Sequence, residues 1–156
     1  MTVDPPPALT ERLASINGVA SVTSHNRGWW VDAPLLDVEA MADAMTGPGI
    51  RLATITAIPR SVKGETTLIY HFILESTIVS FKTQTRNGAI ASLAGRLRAA
   101  SWAEREIRDL FAVEFPGHPN PLPLLKPSGF ANGMVREAMC GPAALANSPT
   151  ALLRAK

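Results

Sequence analysis

Carboxylate side chains gather in one short stretch of the chain, at Glu104, Glu106, Asp109 and Glu114. In a helix, Glu106 and Asp109 are three residues apart and share a face, so together with the nearby His118 they could form a general acid/base group. Arg105 and Arg108 alternate with these carboxylates, however. We therefore favour ion pairs between helix residues four apart, and we keep a small acid/base enzyme as an alternative.

The three histidines, His25, His71 and His118, lie far apart, and no pair has the H-x-x-x-H spacing of a helical metal site. Cys140 is the single cysteine, which argues against a disulfide framework and against a zinc or iron–sulfur site built from this chain's thiolates. It has no activating base beside it, and no serine lies in a G-x-S-x-G elbow. We therefore expect this chain to bind no metal and no cofactor.

The elements that position these residues can be predicted from apolar periodicity. Before residue 50 we predict a helix over residues 9–16, a hairpin with strands 19–23 and 29–31, and a helix over residues 34–45 with Asp32 as a possible cap. Trp29 and Trp30 are adjacent, so one indole of the strand faces away from the core. That indole either packs beneath the Pro5–Pro7 lead or faces a partner.

Three strand candidates follow, over residues 51–58, 66–74 and 77–85. The middle one is apolar on both faces, which is typical of an interior strand covered by helices. The pair Asn87-Gly88 is predicted to open a helix that carries Ile90, Leu93 and Leu97 on one side.

A second helix is predicted over residues 101–111, where Ser101 and Glu104 have the spacing of a capping box. Seven prolines between Pro116 and Pro149 then predict an irregular segment. We expect that segment to lie as an extended strap on this domain or on a neighbouring chain.

These elements predict an α+β fold: a single domain with a small mixed, mostly antiparallel sheet covered by helices, and an extended Pro-rich C-terminal strap. The expected bounds are an N-terminal lead over residues 1–7, the domain over 8–119 and an irregular basic tail over 120–156. A length of 156 residues with 46% hydrophobic residues suits one core. Charged residues make up only 18%, which indicates that part of the surface faces a partner.

The charge distribution argues against nucleic acid as that partner. Residues 1–125 carry eleven Lys and Arg against twelve Asp and Glu, so the body is nearly neutral and the net charge of +2 comes from the tail. The run Ala138–Leu153 is broken by Gly and Pro, and the start of the chain lacks a signal-peptide pattern. We expect a cytoplasmic chain that meets a membrane only through other subunits.

The segment 102–120, WAEREIRDLFAVEFPGHPN, resembles the signature of the 30 kDa subunit family of respiratory complex I, the NADH dehydrogenase of the respiratory chain. That signature is approximately W-x-E-R-E-x-x-D-[LM]-[FL]-G-[IV]-x-F-x-G-H-P-[DN]. The order of the upstream strands is also similar, so the resemblance extends over residues 8–126. We refer to residues 102–120 as the signature.

The resemblance implies a small α+β subunit without a redox centre, in the hydrophilic arm of a complex I-like oxidoreductase. It implies docking to the large subunit related to the [NiFe]-hydrogenase large subunit, beside a small Fe–S subunit, on the cytoplasmic face of the inner membrane. Fe–S, flavin or NiFe centres are then expected only in partner subunits. The residues it marks as signature or interface positions are Trp102, Glu104, Arg105, Glu106, Asp109, Phe111, Gly117, His118 and Pro119.

The chain departs from the family pattern at three places, one of which is the loss of a later P-L-R-K-D-Y segment. Ala112 replaces the usual glycine, and Pro121–Pro127 replaces the usual L-R-R-I-L, a change closer to the counterparts in membrane-bound hydrogenases and formate hydrogenlyases. The quinone-reductase and hydrogenase branches both stay open, as does an assembly chaperone for the large subunit. We expect Arg105 and Asp109 to bond within the chain, leave Glu106 open, and expect Trp102→Ala to cost about 3–5 kcal/mol if the ring is buried.

Overall fold

The computed structural model describes residues 5–25, 28–60 and 65–140. The strands are β1 (Ser21–His25), β2 (Gly28–Asp32), β3 (Ile50–Pro59), β4 (Thr66–Leu74) and β5 (Thr77–Gln84). The helices are α1 (Pro7–Ala14), α2 (Val38–Ala44), α3 (Ala100–Phe111) and α4 (Met134–Cys140). The expected lead over residues 1–7 is described only from Pro5, and the tail beyond Cys140 lies outside the described residues.

The five strands form one sheet in the order β1-β2-β5-β4-β3. Strands β1 and β2 pair antiparallel, whereas β2 and β5 pair parallel, with Trp30 opposite Ser80 and Asp32 opposite Lys82. Strand β4 lies between two others, as its apolar residues on both faces predict. The mixed sheet and the helices confirm the α+β fold class.

The chain divides into two compact units. The first draws its residues from Met1–Thr56 and Ile69–Thr83, and the second from Ala57–Leu68 and Gln84–Lys156. Helices α1 and α2 belong to the first unit and contact each other there, while α3 and α4 belong to the second and contact each other there.

In the first unit, the apolar residues of α1 and α2 are buried as their periodicity predicts, and Phe72 packs edge-to-face on Phe81 at a ring-centroid distance of 5.9 Å. The cap of α2 is Asp37, whose Oδ1 accepts the N–H of Ala40 at 3.0 Å. The prediction of Asp32 as the cap was wrong because the helix begins later, at Val38. Of the tryptophan pair, Trp29 is buried and Trp30 is only partly buried.

The predicted helix after Asn87-Gly88 was wrong. Both residues have positive φ, 51° and 76°, and the N–H and C=O groups of Arg86 and Ala89 bond each other across them. Asn-Gly is the preferred pair for this tight type I′ turn. The backbone that follows does not form a helix. Instead, the N–H of Ile90 bonds Glu114 O and the N–H of Ser92 bonds Pro116 O.

The second helix prediction is confirmed as α3, but its capping box was wrong. No side chain caps the N-terminus of α3 at Ala99, because the Glu104 carboxylate bonds Ser92 and the N–H of Leu93 instead. The tail is also not irregular throughout, since α4 forms in the proline-free stretch that follows Pro127.

Helix α3 ends at Phe111 and is capped by Ala112, which has left-handed φ and ψ of 55° and 37° and lies where the family signature usually has glycine. Glycine relieves a left-handed conformation that costs alanine about 1–2 kcal/mol, but Ala112 is only 1% exposed and the change also removes a buried methyl group worth about 0.8 kcal/mol. We therefore predict that Ala112→Gly raises the free energy of unfolding by up to about 1 kcal/mol. Chemical denaturation of the full chain measures the change. The matched control is Ala103→Gly inside α3, which should lower stability by about 1 kcal/mol. A loss of stability in Ala112→Gly as well would contradict the prediction.

Candidate functional site

Glu104 on α3 is fully buried and holds the loop that precedes the helix. Its Oε1 accepts the N–H of Leu93 at 2.6 Å, and its Oε2 accepts the hydroxyl of Ser92 at 2.5 Å. Burial raises the pKa of the Glu104 carboxyl above its usual value, opposed by the bonds from Ser92 and Leu93 and by the nearby His118. This carboxylate of the signature therefore holds the loop at Ser92 and Leu93 against α3.

His118 is placed by a tight turn at the end of the signature. The N–H of His118 bonds Phe115 O at 3.2 Å, with Pro116 and a Gly117 of φ 85° between them, which is a type II turn with its two preferred residues in place. Its Nδ1 accepts the N–H of Asn120 at 2.9 Å, so the ring proton is assigned to Nε2.

The Nε2 atom of His118 lies 3.3 Å from the carbonyl oxygen of Ser101 and 3.9 Å from Oε2 of Glu104. The cleft beside these groups has a volume of about 20 Å³, which is room for about one water molecule. The acid and the imidazole thus meet in the interior of the second unit, in a space too small for a substrate.

Two arginines of α3 bind the first part of the expected C-terminal strap, Asn120–Lys126. From here on, the strap means these residues. Arg105 donates from Nε to Leu122 O at 2.8 Å and from Nη2 to Pro123 O at 2.9 Å. Arg108 donates to Pro121 O and also pairs with Glu114, Nε to Oε2, at 3.2 Å. The favoured interpretation of ion pairs four residues apart was therefore wrong for these arginines, because backbone carbonyls of the strap take their donors.

Asp109 binds the next part of the strap. Its Oδ2 accepts the N–H groups of Leu124, Leu125 and Lys126 at 2.7, 2.8 and 3.3 Å, and the residue is only 1% exposed. Its backbone carbonyl accepts the N–H of Gly133 at 2.8 Å, at the start of α4. The expectation that Arg105 and Asp109 bond within the chain is confirmed, and the strap lies on the chain's own helix.

The remaining signature residues differ in exposure. Trp102 is 71% exposed, so its ring is not buried and the large loss of stability expected of Trp102→Ala for a buried ring does not apply. Glu106 is also exposed, as are Gly117 and Pro119, whereas Phe111 is partly buried. The alternative acid/base group is not assembled, because Glu106 faces solvent while Asp109 and His118 bond backbone groups.

Arg136 is a further residue of the site that sequence reasoning missed. It is fully buried in α4 and donates to Phe111 O at 3.2 Å, Glu65 O at 2.9 Å and Thr66 Oγ1 at 3.3 Å, so it joins α4 to the end of α3. Burial lowers its pKa below the usual value. A single arginine in a short helix carries no pattern that predicts this role.

The other two histidines belong to the first unit. His71 bonds Ser80 Oγ through Nδ1 at 2.9 Å and Thr56 Oγ1 through Nε2 at 3.2 Å, while His25 is exposed on β1. Burial lowers the pKa of His71. Among the residues that the structure describes, no three His, Cys, Asp or Glu side chains are grouped as a metal site requires.

Large apolar side chains are exposed along the second unit. Those between residues 102 and 139 are Trp102, Leu122, Leu125, Phe130, Met134 and Met139, with exposures from 47% to 71%. In the part of the chain covered by the structure, no helix is long and apolar enough to cross a membrane.

The chain is similar to proteins of a known family. Residues 35–139 match the family described as "Respiratory-chain NADH dehydrogenase, 30 Kd subunit". The chain is 32% identical over 94 residues to NAD(P)H-quinone oxidoreductase subunit J of Synechococcus sp. (strain CC9902), covering 58% of this chain and 49% of that protein. It is 41% identical over 54 residues to the subunit J of Prochlorococcus marinus (strain NATL1A), covering 33% and 31%. The chain thus spans about half or less of the length of these relatives.

Two solved structures share the fold. A chain in "Structure of the membrane-bound sulfane sulfur reductase (MBS), an archaeal respiratory membrane complex" aligns with a TM-score of 0.62 at 20% identity, over 78% of this chain and 76% of that one. The structure "Nqo5 of the trypsin-resistant fragment (1-134) in P63 form" aligns with a TM-score of 0.55 at 20% identity, over 72% and 95%.

We predict that Asp109→Ala lowers the free energy of unfolding by at least about 1.5–3 kcal/mol, because three backbone N–H groups lose their charged acceptor. Urea denaturation of the full chain measures this. The matched control, Glu106→Ala on the exposed side of the same helix, should change stability by less than about 0.5 kcal/mol. Equal losses in the two variants would contradict the assigned role of Asp109.

The raised pKa of Glu104 predicts a pH dependence of stability. A folded-state pKa above the unfolded one favours folding fully below the usual value of 4.5, and this contribution is lost as pH rises through the folded-state pKa. The stability of the wild type relative to Glu104→Gln, which stays neutral, should therefore fall as pH rises above that usual value. Denaturation curves at a series of pH values test this, and parallel profiles for the two proteins would contradict it.

Proposed function

The chain belongs to the family of the 30 kDa subunit of the respiratory-chain NADH dehydrogenase, and on this premise we propose that it is a non-catalytic docking subunit of a complex I-like membrane oxidoreductase. It holds and orients the large subunit, related to the [NiFe]-hydrogenase large subunit, beside a small Fe–S subunit. The complex carries out electron transfer coupled to ion translocation on the cytoplasmic face of the membrane. The redox centres belong to those partners.

One observation carries this proposal: the second unit exposes six large apolar side chains between residues 102 and 139. Burying such side chains against a partner is favourable by about 25 cal/mol per Å² of apolar surface. Five of the six lie on α3 or on the strap and α4, which both contact α3, and apolar side chains exposed on neighbouring elements are typical of a protein interface. The low fraction of charged residues in the whole chain agrees with a large covered surface.

The polar groups of the signature support docking rather than chemistry. Glu104, Asp109 and His118 each bond groups of this chain, and the two arginines of α3 bind strap carbonyls. An acid/base catalyst needs a group within hydrogen-bond reach of a substrate position. Here those groups hold the strap and the loop before α3, and so fix the backbone that presents Leu122 and Leu125.

The sequence relatives favour the quinone-reductase branch over the hydrogenase branch. The matched proteins of Synechococcus and Prochlorococcus are named as NAD(P)H-quinone oxidoreductase subunits. The archaeal sulfane sulfur reductase complex shares only the fold at 20% identity. We therefore propose a quinone as the electron acceptor of the assembled complex.

Affinity purification of the tagged full chain from solubilised membranes tests the proposal. We predict recovery of the large subunit and the small Fe–S subunit in equal amounts with the tagged chain. The double variant Leu122→Asp/Leu125→Asp should lose both partners, because it places charge on the strap side chains that we assign to the interface. Leu35→Asp is the matched control, since Leu35 is 64% exposed in the first unit, and it should retain them.

The purification also separates the alternatives. A chain that is recovered with the large subunit during assembly, but is absent from the finished particle, would be an assembly chaperone instead. A chain recovered alone from cells that contain the complete complex would overturn the docking proposal.

A further inference from the structure

Trp102 and Glu106 lie four residues apart on α3 and are both exposed, so they share one side of the helix. Trp102 has 71% of its surface open to solvent. Tryptophan has the largest side chain, and it is seldom exposed to this extent on a protein surface. It is also enriched among the residues that dominate binding energy at interfaces.

Glu106 differs from the other charged residues of α3. Glu104, Arg105, Arg108 and Asp109 all bond groups within the chain. Among the described residues, Glu106 has no hydrogen bond and no ion pair. The helix therefore presents one uncompensated carboxylate beside one exposed indole.

We propose that these two side chains form a single recognition site for an arginine of the large subunit. That arginine lies at the rim of an apolar pocket in the same subunit, and the pocket receives the indole. This inference rests on the proposed function. A planar guanidinium can pair with the Glu106 carboxylate and stack on the Trp102 ring at once, which an ammonium group cannot do as well. Charge complementarity thus identifies a basic partner surface here, and the apolar indole identifies a pocket in it.

The strap makes this site continuous with the apolar surface of the docking proposal. Arg105, between Trp102 and Glu106 in sequence, donates to the carbonyls of Leu122 and Pro123. The strap backbone is therefore fixed beside α3. A partner that covers Leu122 reaches the same helix, where Trp102 serves as its anchor and Glu106 sets its orientation.

Competitive incorporation into the complex tests the inference. Wild-type and variant full chains carrying different tags are produced in the same cells, and their ratio is measured in the purified complex. We expect Trp102→Ala to be incorporated at least about thirtyfold less than the wild type, Trp102→Phe less severely reduced, and Glu106→Gln reduced about fivefold. Glu106→Arg should be reduced further than Glu106→Gln, because it places like charges together.

The arginine adds a signature that a general loss of contact would not give. If one guanidinium joins both side chains, the double variant Trp102→Ala/Glu106→Gln should be incorporated better than the product of the two single ratios predicts. The control is Glu11→Arg, the same charge reversal at an exposed residue of α1, which should compete equally with the wild type. Unchanged melting temperatures show that the variants fold, as expected for exposed positions.

Two outcomes would overturn the inference, and they are distinguishable. If Trp102→Ala and Glu106→Arg are incorporated as well as the wild type while Leu122→Asp/Leu125→Asp is excluded, the recognition site is refuted and the docking function stands. If the wild-type chain itself is absent from the complex, the docking function fails and this inference fails with it.

Discussion

The strap is rich in prolines, so regular structure cannot satisfy all of its backbone polar groups, and α3 supplies partners of the matching charge. The carbonyls of Pro121, Leu122 and Pro123 face the two arginines, and the next three N–H groups face the single carboxylate of Asp109. Positively charged side chains thus donate to consecutive carbonyl oxygens, and a negatively charged side chain accepts from consecutive N–H groups. The bonds to Asp109 are partly buried, and an unpaired N–H group is costly there, so the path of Leu124–Lys126 depends most on this one carboxylate.

This constraint explains why a signature of charged residues suits a subunit that we propose to be non-catalytic. Glu104 ties the preceding loop to the helix, His118 ties the turn before the strap to Ser101, and Asp109 also accepts from Gly133 at the start of α4. Each of these side chains joins segments that lie apart in sequence. The family membership and the surface of exposed apolar residues then fit a chain whose polar residues shape an interface and whose apolar residues form it.

The sequence allowed the fold class and most elements to be predicted, since strands with apolar alternation such as Thr66–Leu74 depend on local pattern. One error occurred where a long-range bond overruled a local one: Glu104 has capping-box spacing from Ser101 but bonds a loop residue twelve positions earlier. Another was a local signal given too little weight, since Asn87-Gly88 is itself the preferred pair of a tight turn, and the apolar spacing after it suggested a helix. Arg136 was not predicted because nothing in a short helix indicates that its guanidinium is buried against carbonyls of distant segments.

The partners of Arg105 and Asp109 could be placed within the chain but not identified, because one helix spacing suits both an ion pair and contacts to a strap. Hydrogen exchange at the amides of Leu124, Leu125 and Lys126 tests the central claim most directly. In the full chain free of partners, we expect these three amides to be protected, and Asp109→Asn to reduce their protection while amides of β4 keep theirs. Rapid exchange at all three amides in the wild type would show that α3 does not hold the strap and would contradict this account.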